Sequence, residues 1–86
     1  MKLFELENLK VRDKINFQGS IFILERIQLF RNGNIEYQFG VDGCDIEYFN
    51  LIVTPNNEFL KNGGNVFEED DFNCTDEFDL NEIWRY

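Results

Sequence analysis

Apolar and polar residues alternate along much of the chain. In Ile35–Val41 the odd positions Ile35, Tyr37, Phe39 and Val41 are apolar, while Glu36, Gln38 and Gly40 between them are not. A two-residue period of this kind marks a strand with one buried face. Apolar runs also cover residues 21–30 and 46–54, and residues 14–18 read as an earlier strand. Between the runs stand Gly19-Ser20, Asn32-Gly33-Asn34, Asp42-Gly43, Pro55-Asn56-Asn57 and Asn62-Gly63-Gly64-Asn65, all residue types that favour turns. The pattern predicts short antiparallel strands joined by hairpins.

Matching the faces sets the expected pairings. A three-residue loop Asn32-Gly33-Asn34, with Asn34 in the left-handed region, places Leu29 against Tyr37 and Ile27 against Phe39. A turn at Asp42-Gly43 places Phe39 against Ile46 and Tyr37 against Tyr48. These pairings leave Phe22 and Leu24, and Phe49, Leu51 and Val53, on a second apolar face. A flat sheet with one wet face does not tolerate this, so the sheet curls onto itself or a helix covers it. Residues 58–61 and 66–68 read as a last hairpin across the turn at 62–65.

Helical signals are confined to the two ends. Residues 3–9 read as a short helix. Leu80, Ile83 and Trp84 fall at i, i+3 and i+4, and Asp79 followed by Glu82 matches a capping box. The expected fold is therefore α+β and mainly β. It is a curled antiparallel meander of about four to six strands with a short C-terminal helix. It forms one domain over residues 1–86, with the segment 62–86 packed on the sheet.

Composition narrows the class. A chain of 86 residues is too short for two ordinary domains, so its core must be dense, and 10 Phe supply the material. At 43% hydrophobic it is no disordered acidic tail, despite a net charge of -9. It contains no His and no Ala. The absence of Ala beside abundant Asn, Ile and Phe suggests an AT-rich genome. No uncharged run is long enough for a helical membrane span, and Glu5 and Glu7 interrupt the start, so no signal peptide is expected. Cys44 and Cys74 then read as reduced thiols of a cytoplasmic protein in a bacterial host cell, with Cys44 a small buried hydrophobe beside its turn.

The lack of His removes the commonest general base and every Ser-His or Cys-His pair. Gly63-Gly64 lacks the ending of a phosphate loop, and the carboxylates flanking Cys44 oppose thiol activation. The chain is not expected to be an enzyme or to hold a cofactor. A calcium frame from Asp71 would use Asp71, Asn73, Thr75, Glu77, Asp79 and Glu82, but Asp76 occupies the position where the loop needs Gly. No metal is expected.

The charge is unevenly placed. Residues 1–61 carry 9 acidic and 7 basic side chains, whereas residues 62–86 carry 8 acidic side chains and only Arg85 against them. A field of one sign repels nucleic acid and anionic lipid and attracts basic surfaces. Interleaved aromatic residues would anchor the segment and hold its carboxylates in place, an array electrostatically similar to a nucleic-acid backbone. The expected contacts are Glu68, Glu69, Asp70, Asp71, Asp76, Glu77, Asp79 and Glu82, with Phe72 and Tyr86 as apolar anchors. In composition, over its whole length, the chain resembles the small acidic inhibitors that phages use against bacterial restriction and CRISPR nucleases. It also resembles the acidic immunity proteins that neutralise basic nuclease toxins. Those resemblances imply an inhibitor that binds a basic protein, a nucleic-acid-binding enzyme first among candidates, and neither nucleic acid nor membrane. An immunity protein is the alternative, or an accessory domain that oligomerises through an exposed Phe22/Leu24 or Phe49/Leu51/Val53 face.

Overall fold

A computed structural model describes residues 1–43 and 46–86, with the side chains of Glu69 and Asp71 outside the description. The turn residues Cys44 and Asp45, and with them the expected burial of Cys44, lie outside the described residues. Among the described residues seven strands form one antiparallel sheet: β1 (Lys14–Phe17), β2 (Ser20–Leu29), β3 (Ile35–Val41), β4 (Glu47–Val53), β5 (Phe59–Asn65), β6 (Asp76–Glu77) and β7 (Ile83–Arg85). Their order is β6-β5-β4-β3-β2-β1-β7. Helix α1 (Leu3–Glu7) precedes the sheet, and helix α2 (Glu69–Asn73) lies between β5 and β6. The architecture is mainly β as expected, with more strands than expected.

Connectivity forces the sheet to curl. β6 and β7 are the two outermost strands, and only residues 78–82 join them. That link spans at most about 20 Å, whereas a flat seven-stranded sheet sets its edges about 29 Å apart at the usual spacing. The result is a half-barrel. Phe17 of β1 and Phe49 of β4, three places apart in the sheet, meet across its concave face with ring centroids 5.0 Å apart. Phe78 and Leu80 of the link turn inward, and the Phe78 ring stands 5.6 Å from that of Phe17.

A β-bulge decides which residues enter the core. Leu24 pairs with Phe39 and Arg26 with Gln38, so Glu25 is an extra residue. Before it the even positions Phe22 and Leu24 face inward and are buried; after it the odd positions Ile27 and Leu29 share their face but extend beyond the core and are exposed. The β2–β3 loop has three residues, but they are Arg31-Asn32-Gly33, closed by the Phe30 N–H donating to the Asn34 carbonyl at 2.9 Å. Gly33, at φ 92, takes the left-handed position expected for Asn34. Leu29 accordingly faces Ile35 and Ile27 faces Tyr37, two residues from the expected register and on the same faces.

The β3–β4 register departs further. Phe39 pairs with Phe49 and Tyr37 with Leu51, three residues from the expected pairing, and an odd shift exchanges the faces. Phe22, Leu24, Phe49, Leu51 and Val53 are thus the core itself, all buried. The curled sheet covers them, and the exposed oligomerisation face expected there does not exist.

Two further expectations fail for identifiable reasons. Asn62-Gly63-Gly64-Asn65 is no turn; it continues β5, with Gly63 opposite Phe49 and Gly64 opposite Tyr48. At φ 101, a Cβ on Gly63 would stand 2.8 Å from the Tyr48 carbonyl oxygen and 3.1 Å from the Phe72 ring. Glycine here permits close approach, a common reason for Gly inside a strand. At the C-terminus, Leu80–Glu82 forms one 3-10 turn, with the Asp79 carboxylate accepting from the Asn81 N–H at 3.0 Å. Ile83, Trp84 and Arg85 then pair with Phe17, Asn16 and Ile15. Strand pairing occupies the open edge of β1, which a helix would leave unpaired. Leu80 and Ile83 still reach the core, and Trp84 turns outward.

Helix α1 forms where residues 3–9 suggest it, with Glu5 accepting from the Lys2 N–H at 3.0 Å. It closes one end of the half-barrel. Leu6 and Leu9 are buried in the core cluster, and Leu3 and Glu7 face Ile35, Tyr37 and Val53. Burial raises the pKa of the Tyr37 hydroxyl, and the Glu7 carboxylate adds to the rise. No helix among the described residues is long and apolar enough to cross a membrane.

Gly63→Ala is expected to cost about 3 kcal/mol, because left-handed strain and the clash add. Gly19→Ala, at φ 77 with nothing within 4 Å of the added carbon, is expected to cost about 1 kcal/mol. Urea unfolding of both variants compares the two; equal losses would remove the close approach from the account. For Tyr37 the neutral phenol is the form favoured in the fold. Its contribution is complete below the unfolded value of about 10 and is lost as pH rises through the raised folded value. Chemical denaturation between about pH 9 and 11 should therefore show a steeper loss for the wild type than for Tyr37→Phe.

Candidate functional site

The acidic segment leaves the sheet at Asn65. The Asn65 side-chain oxygen accepts from the Phe67 N–H at 2.9 Å, and its carbonyl accepts from the Glu68 N–H at 2.9 Å, turning the chain into α2. One aromatic contact holds that helix to the sheet: the Phe72 ring stands 4.8 Å from Tyr48, on the outer face between Gly40 and Gly64. After α2, Asp76 pairs with Lys61 and Glu77 with Leu60, which makes β6 the sheet edge. The Phe78 N–H donates to the Phe59 carbonyl at 2.9 Å, and the link then crosses to β7.

Of the expected contact residues, Glu68, Asp70, Asp76, Glu77, Asp79 and Glu82 are exposed. Glu69 and Asp71 belong to α2, and their side chains lie outside the description. Phe72 is half-buried and faces the sheet, so it anchors the segment and leaves little ring for a partner. Tyr86 is exposed but lies apart from the α2–β6 carboxylates. The Lys14 ammonium stands 5.6 Å from its ring, and Arg12, Lys14 and Arg85 share a cleft with it. The structure thus groups Glu68 to Asp71 with Asp76 and Glu77 along one edge, places Asp79 and Glu82 on the crossing link, and sets Tyr86 among cations. The calcium frame is distributed over the end of α2, β6 and the 3-10 turn, and it forms no single loop.

Two ion pairs occur among the described residues: Lys14 with Asp42 at 3.8 Å and Arg85 with Glu5 at 4.0 Å. Neither draws on the described carboxylates of the C-terminal segment. Their charge faces solvent.

A second site escaped the sequence reading. At the end of the half-barrel opposite α1, Phe17, Gln18, Phe22, Glu47, Tyr48, Phe49, Lys61, Gly64 and Asn65 enclose a cleft of about 220 Å³. Lys61 faces inward there because it pairs with the fully buried Leu51. The signal was the alternation Phe59, Lys61, Gly63, hidden by treating residues 62–65 as a turn. Cys74 is exposed and free.

No protein-family model, curated protein or solved structure matches this chain.

Phe72→Ala is expected to release α2 from the sheet while the core remains folded. Limited digestion with a glutamate-specific protease should then cut after Glu68 and Glu69 several-fold faster than in the wild type, since cleavage tracks local opening. Unchanged digestion would mean that the Tyr48 contact is not what holds the helix.

Proposed function

We propose that the chain is a non-enzymatic protein-binding module whose acidic α2–β6 edge occupies a basic site on a partner, of the kind that nucleic-acid-binding enzymes carry. One observation supports this reading above the others. Exposed carboxylates are carried on backbone tied down by Phe72, Phe78 and Leu80, and none of those described enters an ion pair. Charges at fixed spacing need no ordering on binding, so less entropy opposes association than for a flexible acidic tail. A net charge of -9 speeds encounter with a basic surface and makes it sensitive to salt. An inhibitor of a nuclease or restriction enzyme inside a bacterial host cell is the specific form that size and composition favour.

The decisive variant is Glu68→Lys/Asp70→Lys/Asp76→Lys, since all three side chains are exposed and unfolding is not expected. The immobilised wild type should retain nucleic-acid-binding proteins from a bacterial lysate at about 0.1 M salt, and either duplex DNA or about 0.5 M salt should release them. The variant should retain none of them. Equal retention by both, or retention indifferent to DNA, would refute the reading.

A further inference from the structure

The cleft opposite α1 is built differently from the acidic edge. Its floor is aromatic and buried: Phe17, Phe22 and Phe49 have ring centroids 5.0 to 5.9 Å apart. The β4 strand at Tyr48, whose ring points to the outer face under Phe72, borders the cleft. Into this setting β5 directs one cation. The Lys61 ammonium lies 5.5 Å from the Phe49 centroid and 5.9 Å from that of Phe17, and it donates to the Gly63 carbonyl at 3.3 Å. Two ring faces and one hydrogen bond fix its position. An ammonium has three donors, so those not given to Gly63 remain for an acceptor at the cleft. Around the rim stand the polar side chains of Gln18, Asn65 and Glu47.

A cleft with an aromatic floor and fixed polar groups at the mouth of a barrel is a common setting for a small-molecule site. Size and charge define what this one takes. Clefts for drug-sized ligands run from about 300 Å³ upward, and at about 220 Å³ this one admits a single ring with a short substituent and no nucleotide. Lys61 calls for a negative or strongly accepting group beside that ring. The Glu47 carboxylate on the rim penalises each added negative charge. A single carboxylate is tolerated where a phosphate is not. We propose that this mouth binds a small aromatic monocarboxylate, its ring against the Phe17, Phe22 and Phe49 floor and its carboxylate on the Lys61 ammonium. The site is independent of the acidic edge.

Phenylacetate tests the proposal, with benzyl alcohol as the uncharged analogue and phenyl phosphate as the more highly charged one. Each is titrated into the isotopically labelled full chain and followed by amide chemical shifts. Phenylacetate should give saturable shifts at Gln18, Tyr48, Lys61, Gly64 and Asn65, and should bind about tenfold more tightly than either analogue. Lys61→Met, which keeps the aliphatic stem, should lower phenylacetate affinity about tenfold and leave benzyl alcohol unchanged. Absence of shifts at the mouth, or equal affinity for phenylacetate and benzyl alcohol in the wild type, overturns the proposal without recourse to a variant. An unchanged phenylacetate affinity in folded Lys61→Met overturns it equally, since Lys61 would then serve only to cover the aromatic floor.

Discussion

The contact on which the rest depends is the meeting of Phe17 and Phe49 across the concave face, between strands that are not neighbours in the sheet. It exists because the chain must travel from one sheet edge to the other within residues 78–82. A flat sheet would leave both large faces wet and the link too short. Curling brings the edges within its reach and turns one face into a closed core. Phe78 and Leu80, carried by the link, fill the open side of that core, so the tie and the packing reinforce each other. Phe39 stacks on Phe49 at 5.3 Å, which extends the aromatic cluster onto the neighbouring strand.

The same curl creates the surfaces on which function is proposed. One end of the half-barrel is closed by α1, while the other keeps an aromatic mouth where Lys61 stands as the cation directed at the core. Beyond the mouth the chain turns at Asn65 into α2, and the edge strand β6 continues the acidic stretch. Position therefore separates the charges. The acidic excess lies on α2, β6 and the link, and Lys61 sits where its stem can cover aromatic rings. A net charge that in the sequence reads as a property of the last residues is, in the fold, divided between one edge and the link that leaves it.

Period-two alternation made the strands, the mainly β class and the curl legible in the sequence, and residues 3–9 separately suggested α1. It did not make the registers legible. Alternation is indifferent to a shift of two residues, which is the error at β2–β3, where Leu29 meets Ile35. It also assumes that a strand keeps its phase, and Glu25 breaks that assumption in the middle of β2. The β3–β4 error followed from trusting Asp42-Gly43 to close a tight hairpin, when pairing resumes only at Tyr48 opposite Gly40. Gly63 and Gly64 misled for a physical reason, since Gly marks close backbone approach as well as turns. The C-terminal stripe placed Leu80 and Ile83 in the core correctly, but a three-residue spacing cannot distinguish a helix from a 3-10 turn entering a strand. Of the candidate site, the acidic stretch was visible as charge, whereas the mouth depended on strand pairing that no local pattern encodes.

Polar groups on the outer face supply the register information that alternation lacks. Arg26, Gln38, Asn50 and Asn62 lie opposite one another across β2, β3, β4 and β5. The Asn50 side-chain amide donates to the Asn62 side-chain oxygen at 2.9 Å, and the Gln38 amide approaches Glu25 at 3.4 Å. The Asn50 side-chain oxygen is buried with no partner among the described residues, a cost accepted within the row. A two-residue slip between β4 and β5 would preserve every inward face yet place Asn50 opposite Leu60 or Gly64 and leave its amide unpaired as well. Half-buried amides left unpaired are costly enough for the row to bias the choice between registers that the core alone would treat as equivalent. It also fixes Lys61 opposite Leu51 and Gly63 opposite Phe49, and with them the cation at the mouth and the seat of Phe72. The outer face, which contributes little to the core, thereby determines where the chemistry of the inner face and the edge is placed.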